Sequence, residues 1–126
     1  MPVQVSLWAV DMQEISFEVR SFLRDNIQSV WQLDLLIALM NIKHPVDAIT
    51  LARLLYTSPA AIESALQKFV KIGIAKEHSG KNCTYSYAPA SDDKSRTIED
   101  TAKTYAIRRV DVINLIFSSP SRHGIR

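Results

Sequence analysis

Apolar residues recur at helical spacing along most of the chain, and this pattern predicts five helices and one short hairpin. Serines, aspartates, prolines and glycines between these runs supply the caps and turns that separate them. The expected fold class is mostly α with a small β-hairpin, and with additional helices at the N-terminal and C-terminal ends. The predicted helices span residues 16–28, 30–40, 47–55, 59–72 and 94–117, and the predicted strands span 74–77 and 83–87.

The run from 30 to 40 is apolar on almost every side, which indicates a helix that its neighbours bury all round. Ser16 and Ser29 are cap candidates ahead of the first two helices, and the register of apolar residues shifts at Ser29. We therefore expect two helices that meet near Gln28, the second of which forms the centre of the core. Pro45 closes this region, because the residue before a proline avoids helical backbone.

Two helical patterns then follow one another across a tight turn. Asp47 can accept hydrogen bonds at the start of the first, and Leu51 and Leu55 give that helix an apolar side. Ser58 is a good N-cap for the second helix, and Pro59 suits its first position, where the missing N–H costs nothing. This turn is the strongest local signal in the chain.

The helix predicted at 59–72 has one apolar stripe and one largely polar side. Gly73 follows where a helix can end with a left-handed residue. The next two runs alternate partly like strands and flank residues 78–82, which have turn chemistry and a basic character. The apolar stripe comprises Ile62, Ala65, Leu66, Phe69 and Val70.

Three motifs in this region carry a resemblance to a known family. They are Leu51-Ala52-x-x-Leu55, then Ser58-Pro59-x-x-Ile62-x-x-Ala65-Leu66-x-x-Phe69-x-x-x-Gly73-Ile74, then a hairpin ending in Tyr85-x-Tyr87-x-Pro89. In this order they resemble the winged helix-turn-helix domains of bacterial transcriptional regulators, MarR-like ones among them. The resemblance implies that helix 59–72 enters the major groove of double-stranded DNA and that the wing tip at 78–82 lies against the minor groove or the phosphates.

The resemblance also implies which side chains would contact DNA. Serine and glutamine can hydrogen-bond base edges, alanine methyls can meet thymine methyls, and lysine or arginine can pair with phosphates. The candidate DNA-binding residues are Arg53, Thr57, Ser58, Ala60, Ala61, Ser64, Gln67, Lys68, Lys71, Lys76, His78, Lys81 and Asn82.

An alternative function stays open beside DNA binding. The same fold also serves as a protein–protein interaction module without DNA binding. Helix 59–72 carries no arginine that could grip guanine bidentately, and it carries Glu63, which would stand near phosphates.

The helix predicted at 94–117 has two apolar stripes and therefore needs two neighbours. One neighbour can be the core of the same chain, and the other is most economically a second subunit of a two-fold homodimer. The organisation predicted is an N-terminal arm at 1–15, the winged domain with its dimerisation helix at 16–117 and a tail at 118–126. Candidate dimerisation residues are Ile98, Tyr105, Val112, Ile113, Ile116 and Phe117.

Basic side chains on this last helix allow two interpretations. They could extend a phosphate-contacting surface, although such charges more often form a solvated face. Arg109 could instead cover apolar surface with its stem and pair with an acid such as Asp111 or Glu99. The residues concerned are Lys94, Arg96, Lys103, Arg108 and Arg109.

Composition narrows the class of protein without naming a partner. The chain has 126 residues, 47% of them hydrophobic and 22% charged, which fits one globular domain. Its net charge of +2 permits a polyanionic partner but does not demand one. Because no run holds 18 apolar residues and no secretory signal is visible, we expect a cytoplasmic protein without a membrane partner.

Residues with reactive side chains are few. Cys83 is the single cysteine, so no intrachain disulfide can form, and it could sense oxidants only if a cation such as Lys81 or His78 lowered its thiol pKa. We expect instead a small apolar strand residue. The histidines, of which His44 and His123 are the others, lie too far apart to predict a metal site. With three glycines and no nucleophile, phosphate-loop or dinucleotide motif, neither an enzyme nor a cofactor is predicted, and an effector ligand is possible but not indicated.

Overall fold

The computed structural model describes residues 15–117, so the predicted arm at 1–15, except for Ile15, and the predicted tail at 118–126 lie outside the described residues. Six helices and a three-stranded antiparallel sheet follow one another within this range. In chain order they are α1 (Phe17–Asn26), α2 (Val30–Asn41), β1 (Val46–Asp47), α3 (Ala48–Leu55), α4 (Pro59–Lys71), β2 (Ala75–His78), β3 (Thr84–Tyr87), α5 (Asp92–Ile107) and α6 (Arg109–Phe117).

The expected fold class, mostly α with a small β-hairpin wing, is confirmed. The first two helices meet at residues 27–29, next to Gln28 as predicted, and Ser16 caps the first by accepting a hydrogen bond from the Val19 N–H. Helix α2 forms the centre of the core. Its remaining apolar side chains pack against the core while partly exposed, and its fully buried side chains are Leu33, Leu35, Leu36 and Leu39.

The sheet contains one more strand than the hairpin pattern predicts. Strand order is β1-β3-β2, and the two-residue strand β1 pairs with β3 through Val46 opposite Tyr85. Two residues are too few for alternation to be visible in the sequence. This pairing connects the wing to the segment that immediately precedes α3, and β2 follows α4 in the chain. The hairpin is therefore connected to both ends of the helix-turn-helix.

The single long helix expected at 94–117 is wrong, because the helical backbone breaks at Arg108. Arg108 leaves helical dihedral angles, and its guanidinium pairs with the Asp111 carboxylate, with Nη2 at 2.9 Å, in the first turn of α6. No proline or glycine lies at this position, which is why the sequence pattern could not reveal the break. The break allows both α5 and α6 to pack against α1.

The two apolar stripes of this region face different surroundings. Ile98, Tyr105, Val112 and Ile116 are buried in the core of their own chain, and the Tyr105 hydroxyl donates to Asp34 of α2 at 3.1 Å. The structure thus corrects the assignment of these four residues to a dimer interface. The second stripe points outward, with Ile113 half-buried and with exposed Ala106, Val110 and Phe117.

No helix between residues 15 and 117 is long and apolar enough to cross a bilayer.

Candidate nucleic-acid interface

The helix α4 begins as its sequence requires. Ser58 Oγ accepts a hydrogen bond from the Ala61 N–H at 3.1 Å, and Pro59 occupies the first helical position. The preceding helix α3 starts in the same way, since Asp47 Oδ1 accepts from the Thr50 N–H at 2.8 Å. These local hydrogen bonds satisfy N–H groups that have no partner inside the helix, and they fix where each helix starts.

Helix α4 has a buried face and an exposed face, as its pattern predicts. Its exposed face carries the candidate residues Ala60, Ser64, Gln67 and Lys71, which recur every three or four positions. Ala61, another candidate, is half-buried on the flank of the helix. The buried face comprises Ile62, Ala65, Leu66 and Phe69.

Lys68, one of the candidate DNA-binding residues, does not lie on the exposed face. It is half-buried, and its Nζ donates to the carbonyl oxygen of Asn26, the last residue of α1, at 2.8 Å. Lys94 acts in the same way on α4, because its Nζ donates to the carbonyl of Ile72 at 2.6 Å. Cations stabilise the carbonyl end of a helix, so these two lysines hold helices together.

Gln67 connects the exposed helix face to the wing. Its Nε2 donates to the Tyr85 hydroxyl at 2.7 Å, although Gln67 itself is exposed. The Tyr85 side chain is buried, and this burial raises the pKa of its hydroxyl. A neutral hydroxyl can accept this bond, which fixes the orientation of the wing relative to α4.

The wing tip is shorter than the predicted range of 78–82. His78 is the last residue of β2, and its Nε2 lies 2.8 Å from Ser86 Oγ across the sheet. The loop that follows carries the exposed candidates Lys81 and Asn82, and Lys76 is exposed on β2. The protruding basic part of the wing therefore consists of lysine side chains.

Cys83 lies in an acidic environment. Its Sγ donates to Glu77 Oε2 at 2.9 Å, and this hydrogen bond to the carboxylate raises the pKa of the thiol, with a further contribution from the charge of Glu63. His78, expected as a possible activating cation, instead bonds Ser86. These surroundings oppose the thiolate that redox chemistry requires.

The basic residues of the C-terminal helices are mostly engaged within the chain. Arg96 lies 3.6 Å from the Asp93 carboxylate, and Arg108 pairs with Asp111. The guanidinium of Arg109 lies 4.6 Å from the ring centroid of Tyr105, a cation–π contact rather than an acid pair. Lys103 is exposed.

The turn between α3 and α4 contains a residue that sequence reasoning missed. Tyr56 is 96% exposed and adopts left-handed backbone with φ of 55°. Arg53, Thr57 and Ser58 adjoin it, of which Arg53 and Ser58 are exposed and Thr57 donates its hydroxyl hydrogen to the Leu55 carbonyl at 3.1 Å. The available signal was an aromatic residue in a turn that commonly contains glycine.

Comparisons with known proteins support the fold. Neither a scan against protein-family models nor a search of curated proteins gives a match. Among solved structures, the chain is similar to the ST1889 protein from the thermoacidophilic archaeon Sulfolobus tokodaii, with 17% identity and a TM-score of 0.50 over 74% of this chain and 99% of that one. It is also similar to RV1404 from Mycobacterium tuberculosis, with 19% identity and a TM-score of 0.53 over 86% and 74% of the two chains.

A third similar structure is the transcriptional regulator Tm0710 from Thermotoga maritima, with 16% identity and a TM-score of 0.51 over 86% of this chain and 77% of that one. At such identities the similarity concerns the fold. Together with α3, α4 and the three-stranded wing, it establishes that this chain has a winged helix-turn-helix fold of the kind that a bacterial transcriptional regulator also uses.

Proposed function

We propose that this protein is a cytoplasmic transcriptional regulator that binds specific sequences of double-stranded DNA. In this proposal α4 enters the major groove and the wing loop at 79–82 lies on the backbone. The observation that carries it is the exposed α4 face, formed by Ala60, Ser64, Gln67 and Lys71, beside a wing whose Lys76 and Lys81 are exposed. A helix with small exposed side chains can approach base edges closely.

The same face indicates how sequence could be read. Ser64 offers its hydroxyl to base edges and Gln67 its amide oxygen, since Gln67 Nε2 already donates to Tyr85, and the Ala60 methyl can contact thymine. Glu63 lies on the flank of this face and could accept a hydrogen bond from the cytosine amino group. Lys71, Arg53, Lys76 and Lys81 supply the phosphate contacts, whereas Lys68 is committed to Asn26.

A homodimer is part of the proposal, because the terminal helices expose apolar side chains that a lone chain would leave in water. Phe17, Ile107, Val110 and Phe117 are between 62% and 81% exposed, and α1 packs beside α6. A two-fold interface through these helices would present two α4 helices to half-sites about one helical turn apart.

One observation favours the alternative of a protein-interaction module. With Lys68 and Lys94 bonded to helix carbonyls, Lys71 is the one lysine on the exposed face of α4. Glu63 of α4 and Glu77 of β2 are exposed as well. A surface with so few cations gives a weaker attraction to phosphates than most DNA-binding surfaces do. The two functions differ in their dependence on salt.

The test is a salt titration of binding to duplex DNA. Binding should weaken steeply with added salt, and Lys71→Ala combined with Lys81→Ala should reduce the slope by about 0.9 for each phosphate contact removed. Lys103→Ala is the matched control, because it removes an exposed lysine of α5 that this proposal does not place on DNA, and it should leave the slope unchanged. If no duplex binds at low salt, the DNA proposal fails and the interaction module is preferred.

A further inference from the structure

Tyr56 has two features that reduce the stability of the fold and that its contacts within residues 15–117 do not offset. It is the one residue other than glycine with positive φ in the described range 15–117, at 55°, where a Cβ atom makes the backbone unfavourable. Its side chain is 96% exposed, so the ring gains almost no packing in compensation. Strained residues without packing support occur at sites that meet a ligand.

The backbone of the turn explains why the left-handed conformation persists. The N–H groups of Tyr56 and Thr57 both donate to the carbonyl of Ala52, the latter at 3.0 Å, which closes the end of α3. This arrangement requires a left-handed residue, and glycine or asparagine adopts it at lower cost. Folding therefore specifies the conformation but does not specify a tyrosine.

The surroundings of Tyr56 indicate the chemistry of the ligand. Its ring lines an open cleft of about 500 Å³ next to the start of α4. Arg53 supplies the cleft with a positive charge, and no carboxylate from residues 15–117 lines it. The N-terminus of α4 adds positive potential at the same edge through its helix dipole. The lining residues are Ile49, Ala52, Arg53, Tyr56, Thr57 and Pro59.

We propose that this cleft is a second contact surface for DNA and that Tyr56 binds the sugar–phosphate backbone at the edge of the major groove. The ring packs on the apolar side of a deoxyribose, its hydroxyl donates to a phosphate oxygen, and Arg53 pairs with the neighbouring phosphate. This inference rests on the proposed function. It adds a contact that positions α4 in the groove and does not depend on the base sequence.

The test uses three substitutions of Tyr56 and a mixed-sequence duplex, since backbone contacts need no particular operator. Tyr56→Gly should raise the melting temperature by roughly 2–4 °C through relief of the left-handed strain, and it should weaken DNA binding about tenfold. Tyr56→Ala should weaken binding equally without raising the melting temperature, because alanine keeps the Cβ atom. Tyr56→Phe isolates the hydroxyl and should cause a smaller loss of affinity.

Leu54→Ala is the matched control, because Leu54 is an exposed apolar residue near the end of α3 that does not line the cleft. It should leave DNA binding unchanged. If the Tyr56 variants bind as the unaltered protein does while Lys71→Ala with Lys81→Ala still weakens binding, the inference is wrong and the proposed function stands. If the unaltered protein binds no duplex, both fail, and capture of a protein partner that Tyr56→Ala abolishes would assign the cleft to protein recognition.

Discussion

The two helices of the helix-turn-helix close their ends in the same way but with different residues. At the end of α3 the Thr57 N–H donates to the Ala52 carbonyl, and just after α4 the Ile74 N–H donates to the Phe69 carbonyl at 2.8 Å. Each closure contains one left-handed residue, Tyr56 in the first and Gly73 in the second, with φ of 55° and 82°. This is the hydrogen-bond pattern of the Schellman motif, in which glycine is the usual left-handed residue.

The difference between the two ends lies in their surroundings. A Cβ atom on Gly73 would lie 3.2 Å from the Ala90 Cβ atom and 3.4 Å from Lys94 Nζ, so space as well as conformation requires glycine there. The Tyr56 side chain is exposed, so within the described range 15–117 it gains almost no packing. The comparison teaches that the same backbone motif is fixed by packing at the end of α4 and leaves room for a binding residue at the end of α3.

The largest expected difference concerns the residue that follows each left-handed position. Ile74 is 1% exposed and lies in the core, so Ile74→Ala should reduce the free energy of unfolding by roughly 2–5 kcal/mol. Thr57 is half-buried with a single side-chain hydrogen bond, and Thr57→Ala should cost less than about 1.5 kcal/mol. Chemical denaturation measures the free energy of unfolding of both variants, and equal decreases would show that the end of α3 is packed as tightly as that of α4.

The left-handed residues themselves provide an intermediate effect. Gly73→Ala should reduce the free energy of unfolding by about 1–3 kcal/mol, because alanine is strained at this φ and meets Ala90. Tyr56→Ala replaces one strained, exposed residue by another, so it should change the free energy of unfolding by less than about 0.5 kcal/mol. A Gly73→Ala variant as stable as the unaltered protein would contradict the spatial argument, and its melting temperature would reveal this directly.

The local features of both helices could be predicted from the sequence. The caps at Ser58 and Asp47 and the glycine after α4 act through hydrogen bonds between residues at most five positions apart, so their residue types alone indicate them. The buried stripe of α4 follows from its spacing for the same reason. What could be predicted was therefore the start, the end and the buried side of each helix.

Long-range contacts could not be predicted from the sequence. Two hydrogen bonds join residues that are far apart in the chain, Lys68 to Asn26 and Gln67 to Tyr85. Lys68, which the sequence pattern places on the polar side of its helix, therefore connects two helices. The break at Arg108 has no proline or glycine to mark it. Ile98 and Tyr105 could have faced either a second subunit or their own core, because a stripe indicates burial without indicating the neighbour.

The smallest expected difference concerns the N-cap residues of the two helices, of which only Asp47 titrates in the acid range. Hydrogen bonds from Thr50, first from its side chain and then from its backbone N–H, hold the pKa of Asp47 below its ordinary value. A carboxylate whose pKa is lower in the folded state contributes stability above its unfolded pKa, near 3.9, and loses that contribution as pH falls through the folded pKa. Ser58 makes the equivalent bond to the Ala61 N–H with a hydroxyl that does not titrate in this range.

Asp47→Asn keeps an acceptor for the Thr50 N–H but cannot titrate, so it isolates the effect of the charge. At neutral pH the unaltered protein should be slightly more stable than this variant, because a carboxylate also complements the positive end of α3. The difference should shrink as pH falls below about 4 and vanish below the folded pKa of Asp47. By contrast, the loss caused by Ser58→Ala should be the same at every pH, as measured by denaturation over the same series. If the Asp47→Asn difference stays constant into acid, the negative charge adds nothing to the cap, and the two helix starts are equivalent in energy as well as in geometry.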